Sequence, residues 1–177
     1  MLALALLPLA AVRVAGQEAG PPIDALLARG ETALRDGRVD EARSLFLQAQ
    51  AIDPESPRIW NLLGGVSFVE RKFEEALERF DKAAKGDPRN PRILNNLGTT
   101  YERLGKPAEA LEQYLASIAA DPGYAEAFRN LGAIYAYRLR DTTLAVHYWT
   151  KYLELAPDGP GSRDVREEMQ RLGGGVR

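Results

Sequence analysis

The chain has 177 residues, 45% hydrophobic and 27% charged, with 23 basic against 25 acidic side chains, one histidine and no cysteine. This length suits one domain or a short array of repeats, and the balanced charge lacks the basic excess that drives nucleic-acid binding through counterion release. Without cysteine there is no disulfide framework, thiolate nucleophile, cysteine zinc site or lipidated cysteine, and a single histidine leaves no His-pair metal site. In chain order, residues 2–12 (LALALLPLAAV) form an apolar run. As a helix that run would span ~16 Å, about half of a bilayer core. It matches the apolar segment of a secretory signal peptide over residues 1–16, with small residues at Val14 and Gly16 placing cleavage before Gln17. Two departures are the absence of Lys or Arg ahead of the run and the presence of Arg13 behind it. An upstream start, with this segment as the tail of a longer signal or anchor, is the alternative. Residues 17–22 (QEAGPP) read as a linker.

From Ile23 onward the chain repeats itself. Gly30, Gly64, Gly98 and Gly132 are each 34 apart, and each is preceded by a large apolar residue four positions earlier: Leu26, Trp60, Leu94 and Phe128. Ala42, Ala76 and Ala110 keep the same spacing, with Ala145 one residue late. In step with them run Phe46, Phe80, Tyr114 and Trp149, then Pro54, Pro88, Pro122 and Pro157. Five columns in register give four units, 23–56, 57–90, 91–124 and 125–159. Each unit reads as two helices. In the second, Trp60, Leu63, Gly64 and Ser67 make one helical stripe, and Ala76, Phe80 and Ala83 make another. The turn Arg71-Lys72 separates them, and Gly86-Asp87-Pro88 stops the second helix. The third unit marks its inner turn with Gly105-Lys106-Pro107. The fourth carries one extra residue between Tyr135 and Ala145, expected in the turn Leu139-Arg140-Asp141, with Asp141 or Thr142 capping the next helix. A glycine inside a helix costs ~1 kcal/mol, and close approach of Gly64 to Ala76 is the expected reason for it, with Phe80 and Trp60 filling space toward neighbouring units. Residues 160–172 form a last helix with Val165, Met169 and Leu172 on one stripe and charged residues around it, and 173–177 a flexible tail.

The columns Trp60-x-x-Leu63-Gly64, Ala76-x-x-x-Phe80 and Pro88, with Leu94-x-x-Leu97-Gly98-x-x-Tyr101, Ala110, Tyr114 and Pro122, resemble the tetratricopeptide repeat (TPR). The first unit departs from that pattern at Arg29 and Ala33, where Leu and Tyr are usual. The resemblance implies an all-α, right-handed superhelical solenoid of four helix pairs, closed by the C-terminal helix acting as a polar-surfaced cap. It further implies non-catalytic binding of a protein or extended peptide on a concave wall built from the first helix of each unit.

The rest of the chain offers chemistry little. His147 reads as an ordinary helix residue, Glu75–Arg79 and Glu78–Lys82 are i,i+4 ion pairs, and a solvated helix face accounts for these and for Glu74, Glu109 and Glu112. No phosphate loop, metal motif or nucleophile elbow appears. No catalytic, cofactor or metal-ligating residue is therefore expected, and no nucleic-acid or metal partner. On the wall, once the packing columns are removed, there remain Arg58, Asn61 and Leu62, then Arg92, Asn95, Asn96, Thr99 and Arg103, then Glu126, Arg129, Asn130 and Tyr137. The peptide-binding set is Arg58, Asn61, Arg92, Asn95, Asn96, Thr99, Arg103, Arg129, Asn130 and Tyr137. An Asn amide both donates and accepts, which suits the backbone of an extended chain, and Arg supplies a planar fork for carboxylates. The Asn columns resemble the asparagine ladder of some glycosyltransferase TPR regions. The Lys/Asn/Arg clamp of chaperone-tail-binding TPR domains is not matched, since its columns hold Leu27 and Glu31, or Asn61 and Gly65. Export to the periplasm or outside the cell is the expected location, with cytoplasmic and membrane-anchored placements as alternatives. Membrane contact requires that the N-terminal segment stay attached. Two rival functions are an accessory subunit guiding substrates to a separate enzyme, and self-association into a homo-oligomer.

Overall fold

The computed structural model describes residues 21–173, so the expectations for residues 1–16, most of the linker and the tail beyond Gly173 lie outside the described residues. Among the described residues the chain is all-α, without strands. The helices are α1 Ile23–Arg35, α2 Val39–Ile52, α3 Pro57–Val69, α4 Phe73–Gly86, α5 Pro91–Arg103, α6 Pro107–Ala120, α7 Ala125–Ile134, α8 Thr142–Leu155 and α9 Ser162–Arg171. They form four antiparallel pairs in a row, then a final single helix. None of them is long and apolar enough to cross a membrane.

Local chemistry fixes where these helices begin. Proline opens α3, α5 and α6, where its missing N–H costs nothing. Asn90 caps α5, its Oδ1 accepting from the amides of Arg92 at 3.1 Å and Ile93 at 3.3 Å, and Asp141 caps α8 through the amide of Leu144 at 2.9 Å.

The inner turns place one left-handed residue in each pair: Gly37 (φ 77°), Arg71 (φ 63°), Gly105 (φ 73°) and Arg140 (φ 56°). The spacing is 34, 34 and 35, so the extra residue of the fourth unit lies ahead of Arg140. It is absorbed within the helix, as a π-helical turn over Tyr135–Leu139 closed by the Asp141 amide on the Tyr135 carbonyl at 2.9 Å. The expected loop insertion is corrected accordingly; adding a residue inside the helix leaves the turn geometry of the other units intact. A left-handed conformation costs an L-residue ~1–2 kcal/mol, part of which glycine's greater unfolded freedom offsets. Arg140→Gly is therefore expected to stabilise the chain by about 0.5–1 kcal/mol, read as a higher urea midpoint at unchanged slope.

Inside each pair the helical glycine faces the aromatic of its own second helix. A Cβ on Gly64 would lie 2.7 Å from the Phe80 ring, and one on Gly98 2.6 Å from the Tyr114 ring; Gly30 and Gly132 stand closer still to Phe46 and Trp149. The close partner of Gly64 is thus Phe80, not Ala76. Trp60 packs beside Phe80 and Ile93, donates from Nε1 to the Pro54 carbonyl at 2.9 Å, and carries the Lys82 ammonium 4.3 Å above its ring. Lys82 therefore serves Trp60 and not the expected pair with Glu78, whereas Glu75 and Arg79 do pair.

No unit closes its own core. Phe46 and Ala49 of α2 are buried together with Ile59, Leu63 and Val66 of α3. Phe80 and Ala83 of α4 meet Ile93 and Leu97 of α5, and Tyr114 of α6 meets Leu131 and Ile134 of α7. Trp149 and Tyr152 of α8 meet Val165 and Met169 of α9. The last helix thus occupies the place that a fifth unit's first helix would take. Successive first helices (α1, α3, α5, α7) also approach one another more closely than successive second helices do. The stack is therefore bent with the first helices on its inner side.

Candidate functional site

The inner wall is built from α3, α5 and α7, with α1 at its head. Its centre is a repeated asparagine pair. Asn96 donates from Nδ2 to Asn61 Oδ1, and Asn130 donates to Asn95 Oδ1, both at 2.9 Å. Each bond joins neighbouring units across 35 residues. The pairing uses one donor and one acceptor, so Asn61 retains its Nδ2 protons, and Asn96 and Asn130 retain their carbonyl oxygens. Asn95 is only 7% exposed and supports the wall from behind. Asn130→Ala, which leaves the buried Asn95 oxygen without its donor, is expected to cost about 1–2 kcal/mol, measured by chemical unfolding. Replacing Asn96 and Asn130 therefore loses stability together with any binding, and Arg92 is the cleaner probe.

The other sequence candidates divide into two groups. Arg58 is tied to the first unit, with Glu31 at 3.0 Å and Asp24 at 3.6 Å. Thr99 donates to the Asn95 carbonyl at 3.0 Å and accepts the Tyr114 hydroxyl at 3.1 Å. Arg129 donates to the Pro160 carbonyl at 3.1 Å, anchoring the segment that leads into α9. Tyr137 is half exposed, packs on Trp149 and faces Glu168 and Arg171 of α9. By contrast, neither Arg92 nor Arg103 forms an ion pair among the described residues.

Two recesses of about 510 Å³ open beside this wall. One lies at the helix starts, between Arg58, Asn61, Asp87, Asn90, Arg92 and Tyr124. Burial raises the pKa of the Tyr124 phenol there, with Glu126 adding to the effect. The other lies at the helix ends, where Phe68, Val69 and Phe73 sit below Arg71, Arg103 and Arg138. Of these, the sequence columns indicated only Arg103. The others were missed because they belong to packing positions, to an inner turn and to the π-helical turn. Among the described residues no group of three or more His, Asp or Glu side chains gathers as a metal site would.

A model of the tetratricopeptide repeat matches residues 2–57, 27–91 and 68–125, which together span most of the chain. The chain belongs to the tetratricopeptide-repeat family. No curated protein matches it. Among solved structures, this TPR chain is similar to the pilF protein of Pseudomonas aeruginosa at 26% identity and TM-score 0.73, over 88% of this chain and 77% of that one. It is similar to MamA at 26% identity and TM-score 0.64, over 76% of this chain and 78% of that one. The first TPR of Spaghetti (RPAP3), solved bound to an HSP90 peptide, matches at 26% identity and TM-score 0.60, over 68% of this chain and 96% of that one.

Within the TPR array one residue couples wall to core. Tyr114 is fully buried, and its hydroxyl, at the inner wall, reaches Thr99 and Glu102 Oε2 at 3.1 and 3.2 Å. Burial pushes its pKa far above the ordinary tyrosine value, and the Glu102 charge adds to this. The neutral phenol is the native form, while the unfolded chain ionises near ~10. Its stability contribution is therefore intact below about pH 10 and lost as pH rises from there toward the folded value. Tyr114→Phe is expected to flatten the alkaline fall of the melting temperature, measured between pH 8 and 11.5 at ~0.5-unit steps.

Proposed function

We propose that this protein is a non-catalytic binding module that takes a protein or extended peptide segment along its inner wall. The TPR fold supports a protein-interaction scaffold in general. The observation that carries the reading to this wall is the asparagine pairing. Two Asn–Asn bonds hold adjacent units in fixed relation while still offering a donor at Asn61 and acceptors at Asn96 and Asn130. Those groups match the alternating N–H and C=O of an extended backbone, with Arg92 and Arg103 free to meet carboxylates. Solvation alone does not account for amides held in register at a fixed separation.

Export is part of the proposal, supported by the apolar segment and small residues of the first sixteen positions. N-terminal sequencing of the protein recovered from its source cell tests it, with Gln17 as the expected first residue. For the wall, a photo-crosslinking amino acid is placed at Arg92 and, as a control, at the exposed Leu115 of α6 on the opposite side. Crosslinked partner from Arg92 and none from Leu115 is the expected result. Equal yield from both positions removes the wall as the site.

A further inference from the structure

The recess at the ends of the first helices has a composition that packing alone does not require. Its floor is apolar: Phe68 and Phe73 meet edge to face at 5.4 Å, and Val69 beside them is 53% exposed. Its rim is cationic, with Arg71 from the inner turn of the second unit, Arg103 from the end of α5 and Arg138 from the π-helical turn of the fourth. The Arg103 guanidinium lies 6.0 Å from the Phe68 ring centre. None of the three arginines has a carboxylate partner among the described residues, whereas Arg38, Arg43, Arg58, Arg79 and Arg171 all do. Glu102, the one acid in the recess, accepts the Tyr114 hydroxyl. The field at helix C-termini favours cations by ~0.3–1 kcal/mol, which accounts for arginines at helix ends but not for an exposed apolar floor between them.

Position ties the recess to the wall. Phe68 and Arg103 lie seven residues after Asn61 and Asn96, two helical turns along the same face. That places the recess ~10 Å from the asparagine pairs, a distance that about three residues of extended chain cover.

We propose that this recess receives a large apolar side chain flanked by acidic residues, within an extended internal segment of the partner whose backbone then runs over the asparagine pairs. This assignment rests on the inner wall being the binding surface. The apolar side chain covers Val69 and the Phe68–Phe73 floor, and carboxylates on either side neutralise Arg71, Arg103 and Arg138. Acidic side chains on both sides of the apolar residue are specified because the three cations come from three separate units around one floor.

The test uses the full chain and a fluorescein-labelled nine-residue peptide, acetylated and amidated at its ends, with a central tryptophan between pairs of Asp and Glu. Saturable binding by anisotropy is expected. Arg71→Gln, Arg103→Gln and Arg138→Gln combined should weaken it about tenfold or more and flatten its salt dependence. Serine in place of the peptide's tryptophan should weaken it comparably, while the distant Arg163→Gln changes nothing. The three arginines are surface residues, and an unchanged helical spectrum separates lost binding from lost folding. Unchanged affinity in the triple variant overturns the assignment, as does binding that appears only when the peptide carries a free C-terminal carboxylate. If the peptide fails while the natural partner still crosslinks from Arg92, the recess falls and the wall stands. If partner crosslinks arise equally from Leu115, the wall itself has failed.

Discussion

Gly132→Ala lowers the stability of the chain by about 1–3 kcal/mol, while Gly65→Ala, made in the same kind of helix, raises it by up to about 1 kcal/mol. Both substitutions gain the helix propensity that glycine lacks, so the difference between them isolates packing. A Cβ at Gly132 enters the indole of Trp149, whereas one at Gly65 meets nothing within 4 Å. The indole has little freedom to retreat. It is 2% exposed, and its Nε1 donates to the Arg129 carbonyl at 3.1 Å on the helix that carries the glycine. Shifting it strains a rigid ring in a close-packed core and breaks that bond, at ~1–3 kcal/mol for overpacking and ~1 kcal/mol for the hydrogen bond, against the ~1 kcal/mol propensity gain. Thermal unfolding should fall by roughly 2–12 °C for Gly132→Ala and rise slightly for Gly65→Ala. Equal shifts in the two variants would show that the glycine columns have no packing role.

The same pair of residues marks how far sequence reasoning reaches. The glycine column and the aromatic column were both visible because packing repeats wherever the units repeat. Which residue the glycine accommodates was not, because the partner lies sixteen or seventeen residues away on a second helix, and ring orientation is set in three dimensions. The inner turns were legible at Arg71-Lys72, Gly105-Lys106-Pro107 and Leu139-Arg140-Asp141, but not the left-handed backbone of Arg71 and Arg140, since neither is a glycine. The extra residue of the fourth unit was counted correctly and placed wrongly. A π-helical turn has no composition of its own, being the way a helix absorbs an insertion when both of its ends are held by neighbours.

On the wall, Asn61 recurs as Asn95 and Asn96 as Asn130, each 34 residues on. The actual bonds link residues 35 apart, so each column pairs with its neighbour in the next unit. The adjacent Asn95-Asn96 was the available signal, since one of the two had to face each neighbouring unit. The arginines were less legible still. Arg58, Arg92 and Arg129 occupy wall positions of similar appearance, but Arg58 finds acids in the first unit and Arg129 finds a carbonyl beyond α8. Arrays have ends, and residues near an end take partners that a repeat pattern does not contain.

Loss of α9 has the other large expected effect. A chain ending at Gly159 is expected to be less stable by about 3–6 kcal/mol, from uncovering the surface that Val165 and Met169 bury at ~1.5–3 kcal/mol each. Met169 is 1% exposed and Val165 5%, and both rest on α8 against Trp149 and Tyr152. The segment ahead of α9 is held by polar bonds as well. Tyr152 donates its hydroxyl to the Pro160 carbonyl at 2.6 Å, and Ser162 donates to the Ala156 carbonyl at 2.7 Å. In every earlier interface the second helix of one unit is covered by the first helix of the next, and here α9 supplies that cover with a charged outer face. Removing it presents α8 as an unfinished interface, whose natural complement is another apolar helix face. The truncated chain should therefore self-associate, seen as a concentration-dependent mass by light scattering, while the full chain keeps a constant mass. Met169→Asp discriminates further, because it retains the helix and places a charge in the interface. It should reproduce both the lost stability and the association, and a constant mass in both variants would show that α9 is not the closure of the array.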